Sequence, residues 1–416
     1  MDDLMITNTN KFNSKRSNEI KSFSSEVFNF IKNHKQDGLL LEGNLKYFSS
    51  KRLIVISNVK IDTLSAIDYI VGCDNIYILQ YANYDDTYRA YIHYVQDPSI
   101  ISVEPDMVIE LDKPQLSKQP KLSLHESELI HSWGFEYIKS KEAFDYILQN
   151  KTVDGLPQMV VGVIDDGVET GNPIFKNRLL NAYSFVGESP NPYKSDMGHG
   201  AKVCSVLMEN TLENVKIISY KIFSERETTL SILRLAEMQA EFDGVDFINS
   251  SYGMFVKFES RLHKALHIAS AGNVKCNTPQ YPAACDGVIS VAGITPNGVL
   301  SDTSTYGDWV TVAAPSENIK LPSIYGLNEY IDFSGTSCAA PFVTAICAMI
   351  KTQHPNLNNE QIKQVLYNSC DTADVPVKYG IVNMFNALSY LDNITQPEAI
   401  KRTVDFTPKD PEPALV

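Results

Sequence analysis

Short apolar runs punctuate the chain from Arg52 onward, and their spacing predicts two bodies. In the first, Leu53-Ile54-Val55-Ile56 reads as a strand, Asp62 to Tyr69 as a short helix and Asn75 to Tyr81 as a strand. Asp86 to Val95 then reads as a helix, and Ile100 to Asp106 as a strand stopped by Pro105. Two strand-helix-strand units of this kind make a small α+β module over residues 51–112. The second body, residues 129–393, contains the continuous β-rich runs Gln158 to Ile164, Val215 to Tyr220, Val245 to Asn249 and Val288 to Ala292. Runs without alternation are what parallel strands buried on both faces show. Helices such as Leu230 to Phe242 and Ser260 to Ile268 fall between them. The alternation predicts an α/β domain with a doubly wound, mostly parallel sheet and its function at the carboxyl ends of the strands. Residues 1–50 form a polar extension with one amphipathic stretch, Val27 to Lys32. Residues 113–128, with Pro114 and Pro120, are a linker, and 394–416 a Pro-rich, charged tail.

Composition narrows the possibilities. The 416 residues are 44% hydrophobic, enough for a large core. Lys and Arg number 36 against 50 Asp and Glu, a net charge of −14 spread along the chain. Such a surface disfavours nucleic acid or an anionic membrane as partner. No basic-then-apolar secretory pattern opens the sequence, and no run approaches the ~18 apolar residues of a membrane helix. Seven cysteines, odd in number and without a CxxC pair, fit free thiols in a cytoplasmic protein better than a disulfide framework or a zinc site.

Four junctions carry candidate chemistry. Ser337, in Gly335-Thr336-Ser337, precedes the apolar run Cys338 to Ile350, so its hydroxyl sits at a predicted helix N-terminus. Unpaired N–H groups there favour developing negative charge, which suits a nucleophile, and a serine there also suits a simple N-cap. Asp165 ends a strand ahead of Asp166-Gly167, as a carboxylate orienting a histidine or as an Asx turn. His199 alone among eight histidines stands between two glycines, open to substrate, or a capping residue. Asn273, after Ala271-Gly272, offers an amide to an oxyanion or a left-handed turn.

Asp, His and Ser in that chain order, each on a strand-to-helix junction, form one of the convergent triads. On these segments, residues 130–390 resemble the subtilisin-like serine proteases. Val163-Ile164-Asp165-Asp166-Gly167 resembles the family's aspartate motif, Gly198-His199-Gly200 its histidine motif and Gly335 to Pro341 its serine motif. Ile248 to Gly253 resembles its substrate-binding strand, Ala271-Gly272-Asn273 its oxyanion segment, and Tyr281-Pro282-Ala283 is a further match. The resemblance implies catalytic roles for Asp165, His199 and Ser337, an oxyanion donor at Asn273, and substrate binding by Ser251, Tyr252, Gly253, Ala271, Gly272 and Gln280. It implies an endopeptidase that needs no cofactor. Ile174 stands in place of an aspartate calcium ligand, so the family's strong calcium site is not expected and no metal ligand is assigned, with a different, weak calcium site left open. Pro98 to Asp106 is similar to the family's propeptide, which implies an inhibitory N-terminal module and self-cleavage within Leu111 to Ser127. Departures are Ala201-Lys202 in place of Thr-His, and Gln280 where a glycine would leave more room in the primary pocket. A peptide ligase or macrocyclase with the same triad, and a silent partner-binding scaffold, are the competing functions.

Overall fold

The computed structural model describes residues 26–27, 29–34, 50–72, 75–111, 131–149, 151–171, 173–186, 198–224, 226–258, 260, 262, 264–322 and 330–394. The linker, with any self-cleavage bond in it, the tail beyond 394 and most of the N-terminal extension lie outside the described residues.

The first body is a four-stranded antiparallel sheet, β1 (Arg52–Ser57), β2 (Asp68–Val71), β3 (Ile76–Gln80) and β4 (Ile100–Pro105), in the order β2-β3-β1-β4. Period-2 alternation splits its side chains. Leu53, Val55, Tyr77 and Leu79 pack with Ala90 and Tyr94 of helix α1 (Tyr84–Gln96), whose N-terminus Asn83 caps by accepting from Asp86 N at 2.9 Å. Ile54, Ile76 and Ile78 face the other way, into a cluster with Val27 and Phe30 and with Leu233 and Ala236 of the second body. The short helix expected at Asp62 to Tyr69 is instead a turn followed by β2. Leu64 has φ 53°, which an α-helix cannot accommodate, and Asp62 Oδ1 accepts from Leu64 N at 2.9 Å as an Asx turn. The module therefore has one strand-helix-strand unit, not two.

The chain continues through β5 (Val108–Glu110) and the helices α2 (Trp133–Tyr137) and α3 (Ser140–Leu148) into the α/β domain. There follow β6 (Met159–Asp165), β7 (Leu179–Ser184), helix α4 (His199–Glu209), β8 (Val215–Lys221), β9 (Glu227–Thr229) and helix α5 (Leu230–Asp243). Next come β10 (Phe247–Ser250), β11 (Leu266–Ser270), β12 (Ile289–Ile294), β13 (Val312–Pro315) and the antiparallel pair β14 (Ile319–Pro322) and β15 (Tyr330–Phe333). Helices α6 (Thr336–Gln353), α7 (Asn359–Asn368) and α8 (Met384–Ile394) complete it. Seven strands form one parallel sheet in the order β13-β12-β11-β10-β6-β8-β7. The doubly wound architecture is as the apolar runs predict. Against expectation, Ser260 to Ile268 is no helix, because its second half is β11. That strand is buried throughout between β10 and β12, and a continuous apolar run has no period to separate strand from helix. Buried inside it, His267 stays neutral, held by hydroxyls of Ser250 (2.9 Å) and Ser260 (3.1 Å), and burial pushes its pKa down to about 3. Helix α6 is buried along its length except at Lys351 and Gln353, and packs across β10 to β13.

The module joins the domain through carboxylates and a short ladder. Glu104 grips Arg234 of α5 with both oxygens, at 2.9 and 2.7 Å. Asp106 accepts from the backbone N and the hydroxyl of Ser231, in the first turn of α5, both at 3.0 Å. Strand β5 then pairs antiparallel with β9, and Leu111 N donates to Arg226 O at 2.8 Å. No described helix is long and apolar enough to cross a membrane.

Candidate active site

Strand β6 lies at the point where the winding of the sheet reverses. From it the chain builds β7 and β8 to one side and β10 to β13 to the other, so a crevice opens beyond the carboxyl ends of β6 and β10. Asp165 is the last residue of β6, and Ser251 directly follows β10.

Asp165 and Asp166 have separate tasks. Asp165 Oδ1 meets His199 Nδ1 at 2.7 Å, with both side chains nearly inaccessible to solvent. Asp166 turns to the start of α4, accepting from His199 N (3.3 Å) and Gly200 N (2.6 Å). It thereby satisfies two of the helix's unpaired N–H groups and fixes the backbone that carries the imidazole. Gly200 is required there: a Cβ would lie 2.6 Å from Gly167 O. Burial pulls the His199 pKa down, but the charge and hydrogen bond of Asp165, with Asp166 behind it, more than offset this. Lys202 opposes them, and the net position is above the ordinary 6.5. Lys202 Nζ lies 5.9 Å from the centre of the Phe333 ring, and the His199 ring meets the same ring edge-on at 5.6 Å. The cation beside the histidine motif is thus parked on an aromatic face.

Ser337 occupies the first turn of α6, as its hydrophobic run predicts. Its Oγ donates to Ser251 O at 3.2 Å. Ser337 O faces an unusual need, because Pro341, four residues on, has no N–H to give it. The Ser251 hydroxyl supplies the missing donor at 3.1 Å. Behind it, Thr344 donates to Asn249 Oδ1 (2.9 Å) and Asn249 Nδ2 donates to Ser251 Oγ (3.0 Å), all within the core. Asn249 and Thr344 are positioning residues that the sequence reading missed. Their signal was a polar pair inside two apolar runs.

Asn273 is brought to the same helix start. Its Oδ1 accepts from Thr336 N (2.8 Å) and Thr336 Oγ1 (3.0 Å), which sets Nδ2 as the donor end of the amide. Thr336 Oγ1 in turn accepts from Gly272 N at 3.1 Å. Of the other expected substrate-binding positions, Ala271 is fully buried, and Gln280 lies between Gly253 and Gly272. The Tyr252 side chain is turned into the core, its ring 5.5 Å from that of Phe223. Among the described residues, no group of three or more His, Cys, Asp or Glu could hold a metal ion. Chemically, the arrangement holds an imidazole against a buried carboxylate, which stabilises an imidazolium, and a hydroxyl at a helix N-terminus, where developing negative charge is favoured.

The sequence model of the subtilase family matches residues 157–386, more than half of the chain and the whole of this constellation. The chain belongs to the subtilase family. A thermophilic serine proteinase from Bacillus sp. (strain AK1) is 28% identical over 62% of this chain and 68% of its own. Thermitase from Thermoactinomyces vulgaris is 27% identical over 55% of this chain and 88% of its own, and subtilisin DY from Bacillus licheniformis 30% over 53% and 86%. As a subtilase, the protein is a serine protease and acts on protein or peptide substrates.

Proposed function

We propose that this subtilase is an endopeptidase whose nucleophile is Ser337, made with an N-terminal module that restrains it. The Ser337 hydroxyl leaves the Ser251 carbonyl, passes its proton to His199 Nε2 and attacks the peptide carbonyl. His199 then protonates the leaving amine, and a water activated by the same imidazole releases the acyl group. Asp165 holds the Nδ1–H tautomer and stabilises the imidazolium. Asn273 Nδ2 and the Ser337 N–H receive the oxyanion. The observation that carries this reading is the buried His199–Asp165 bond of 2.7 Å at the end of β6, with Ser337 tied through Ser251 to the end of the neighbouring strand β10.

The restraint is supported by the way residues 104–111 approach: Glu104 and Asp106 grip α5, and β5 runs along β9 toward the undescribed linker. We further place the enzyme in a reducing compartment such as the cytoplasm. Six described cysteines are free thiols, and burial pushes Cys285 and Cys370 up to about 12.

Labelling of the full chain by a fluorophosphonate, before and after a nick within residues 112–130, tests both parts. Labelling that appears on nicking and disappears in Ser337→Ala is the expected result. Undiminished labelling in Ser337→Ala would remove Ser337 from the mechanism.

A further inference from the structure

An endopeptidase acting through Ser337 must find room for the side chain of the residue whose carbonyl it attacks. Two segments reach the nucleophile. One is Ser251-Tyr252-Gly253, whose first carbonyl accepts from Ser337 Oγ at 3.2 Å. The other is Ala271-Gly272-Asn273, tied to Thr336 through Gly272 N and Asn273 Oδ1. Each segment presents a glycine to the space between them, which is how two backbones leave a slot for a guest side chain.

That slot is already filled from within. A Cβ built on Gly272 would lie 2.3 Å from both Oε1 and Nε2 of Gln280, and one on Gly253 would lie 3.0 Å from Oε1. The two glycines therefore accommodate the Gln280 amide, and at Gly272 the φ of 105° independently demands glycine. Gln280 is only 4% exposed. Its Nε2 donates to Thr305 Oγ1 at 3.3 Å, and Thr305 N donates to Gly272 O at 2.9 Å, so the filler is fastened to one of the walls it separates. Its backbone is fixed as well: Ala284 N donates to Gln280 O at 2.8 Å, and the next residue, Tyr281, exchanges two hydrogen bonds with Met254, directly beyond Gly253. A side chain so anchored does not swing aside without breaking its hydrogen bond to Thr305.

We propose that Gln280 occupies the primary specificity slot and restricts this protease to peptides with a small side chain, Gly, Ala or Ser, immediately before the scissile bond. The inference rests on the protease reading above and names the substrate class of that same site. A long apolar or aromatic side chain must either displace the amide or bury it against carbon, and both lose hydrogen bonding that a small residue leaves intact. A seryl hydroxyl has a partner ready, because Oε1 accepts no hydrogen bond from the described residues. The slot thus discriminates by exclusion, with a polar floor.

The test is kcat/KM on peptides identical except for Ala, Ser, Leu or Phe before the scissile bond, using the full chain nicked within residues 112–130. Wild type should prefer Ala and Ser over Phe by tenfold or more. Gln280→Gly should reverse the order, raising Phe by ten- to a few hundred-fold relative to Ala, and Gln280→Ala should fall between. Because the wild-type ranking alone is decisive, a variant that fails to fold does not rescue the proposal. A wild-type preference for Phe or Leu, or equal cleavage of all four, overturns it while leaving the protease intact. No cleavage of any peptide, together with no fluorophosphonate labelling of Ser337, overturns the protease reading and this proposal with it.

Discussion

Two buried aspartates do the same physical job at two helix starts, and the difference between them separates a contact made within one packed domain from a contact made between two bodies. Asp166 accepts from His199 N and Gly200 N at the start of α4; Asp106 accepts from Ser231 N and Oγ at the start of α5. Both are fully buried. Asp166 is delivered by the strand it follows, β6, and belongs to the same packed sheet as the helix it caps. Asp106 arrives from the four-stranded module, 125 residues away in sequence, together with Glu104 and a three-residue ladder. Losing the first contact requires unfolding the domain. Losing the second requires only that one body leave another.

The sharpest way to break this comparison is at Asp165. If the His199 side is rigidly organised, Asp165→Asn should leave the fold intact and lower kcat by ~10⁴-fold, because the amide selects the wrong imidazole tautomer. The pH profile gives a second readout. The catalytic base must be neutral, so kcat/KM falls as pH drops through the His199 pKa, which lies above 6.5 in wild type. Removing the Asp165 charge and hydrogen bond leaves burial and Lys202 dominant, so the acid limb should move to lower pH. A limb that stays in place would mean that Asp165 does not govern the imidazole.

Asn273 probes the same side with a smaller effect. Asn273→Ala removes Nδ2 from the oxyanion and should lower kcat by ~10² to 10³-fold with little change in KM. A fall confined to KM would recast Asn273 as a substrate anchor. Asn273 also accepts two bonds from Thr336, so the fold of the variant should be checked by its melting temperature.

These residues were legible in the sequence because each stands in an unbroken junction: Asp165-Asp166-Gly167, Gly198-His199-Gly200, Gly335-Thr336-Ser337. A strand end and a helix start are local events, and the short runs announce them. What escaped was long-range. Ser251 reaches Ser337 across 86 positions, and Thr344 reaches Asn249 across 95, so nothing local signals that the proline closing the serine motif creates a need which a distant hydroxyl fills. Tyr252, two residues beyond the end of β10, has its ring in the core beside Phe223, a long-range contact that the local run does not announce. The misread helices failed for a related reason. Asp68–Val71 is an edge strand with mostly exposed side chains, and Leu266–Ser270 is buried on both faces, so neither shows a period of two.

The smallest effect belongs to the module's grip. Glu104→Gln weakens the charged contact to Arg234 without removing the apolar packing of Ile54, Ile76 and Ile78 beneath it; Asp106 is left in place because it also faces the buried Arg52 guanidinium at 3.4 Å. Arg234 keeps Glu237 as a partner at 2.6 Å, so the loss is less than that of a buried charge stranded alone. A weakening of about 1 to 2 kcal/mol corresponds to roughly a five- to thirtyfold larger undocked fraction. Fluorophosphonate labelling of Ser337 in the uncut variant should accelerate by that factor, and after a nick within residues 112–130 wild type and variant should label alike. Equal rates before the nick would mean that docking at α5 and access to the crevice are uncoupled, and the two aspartates would then differ only in where the chain supplies them.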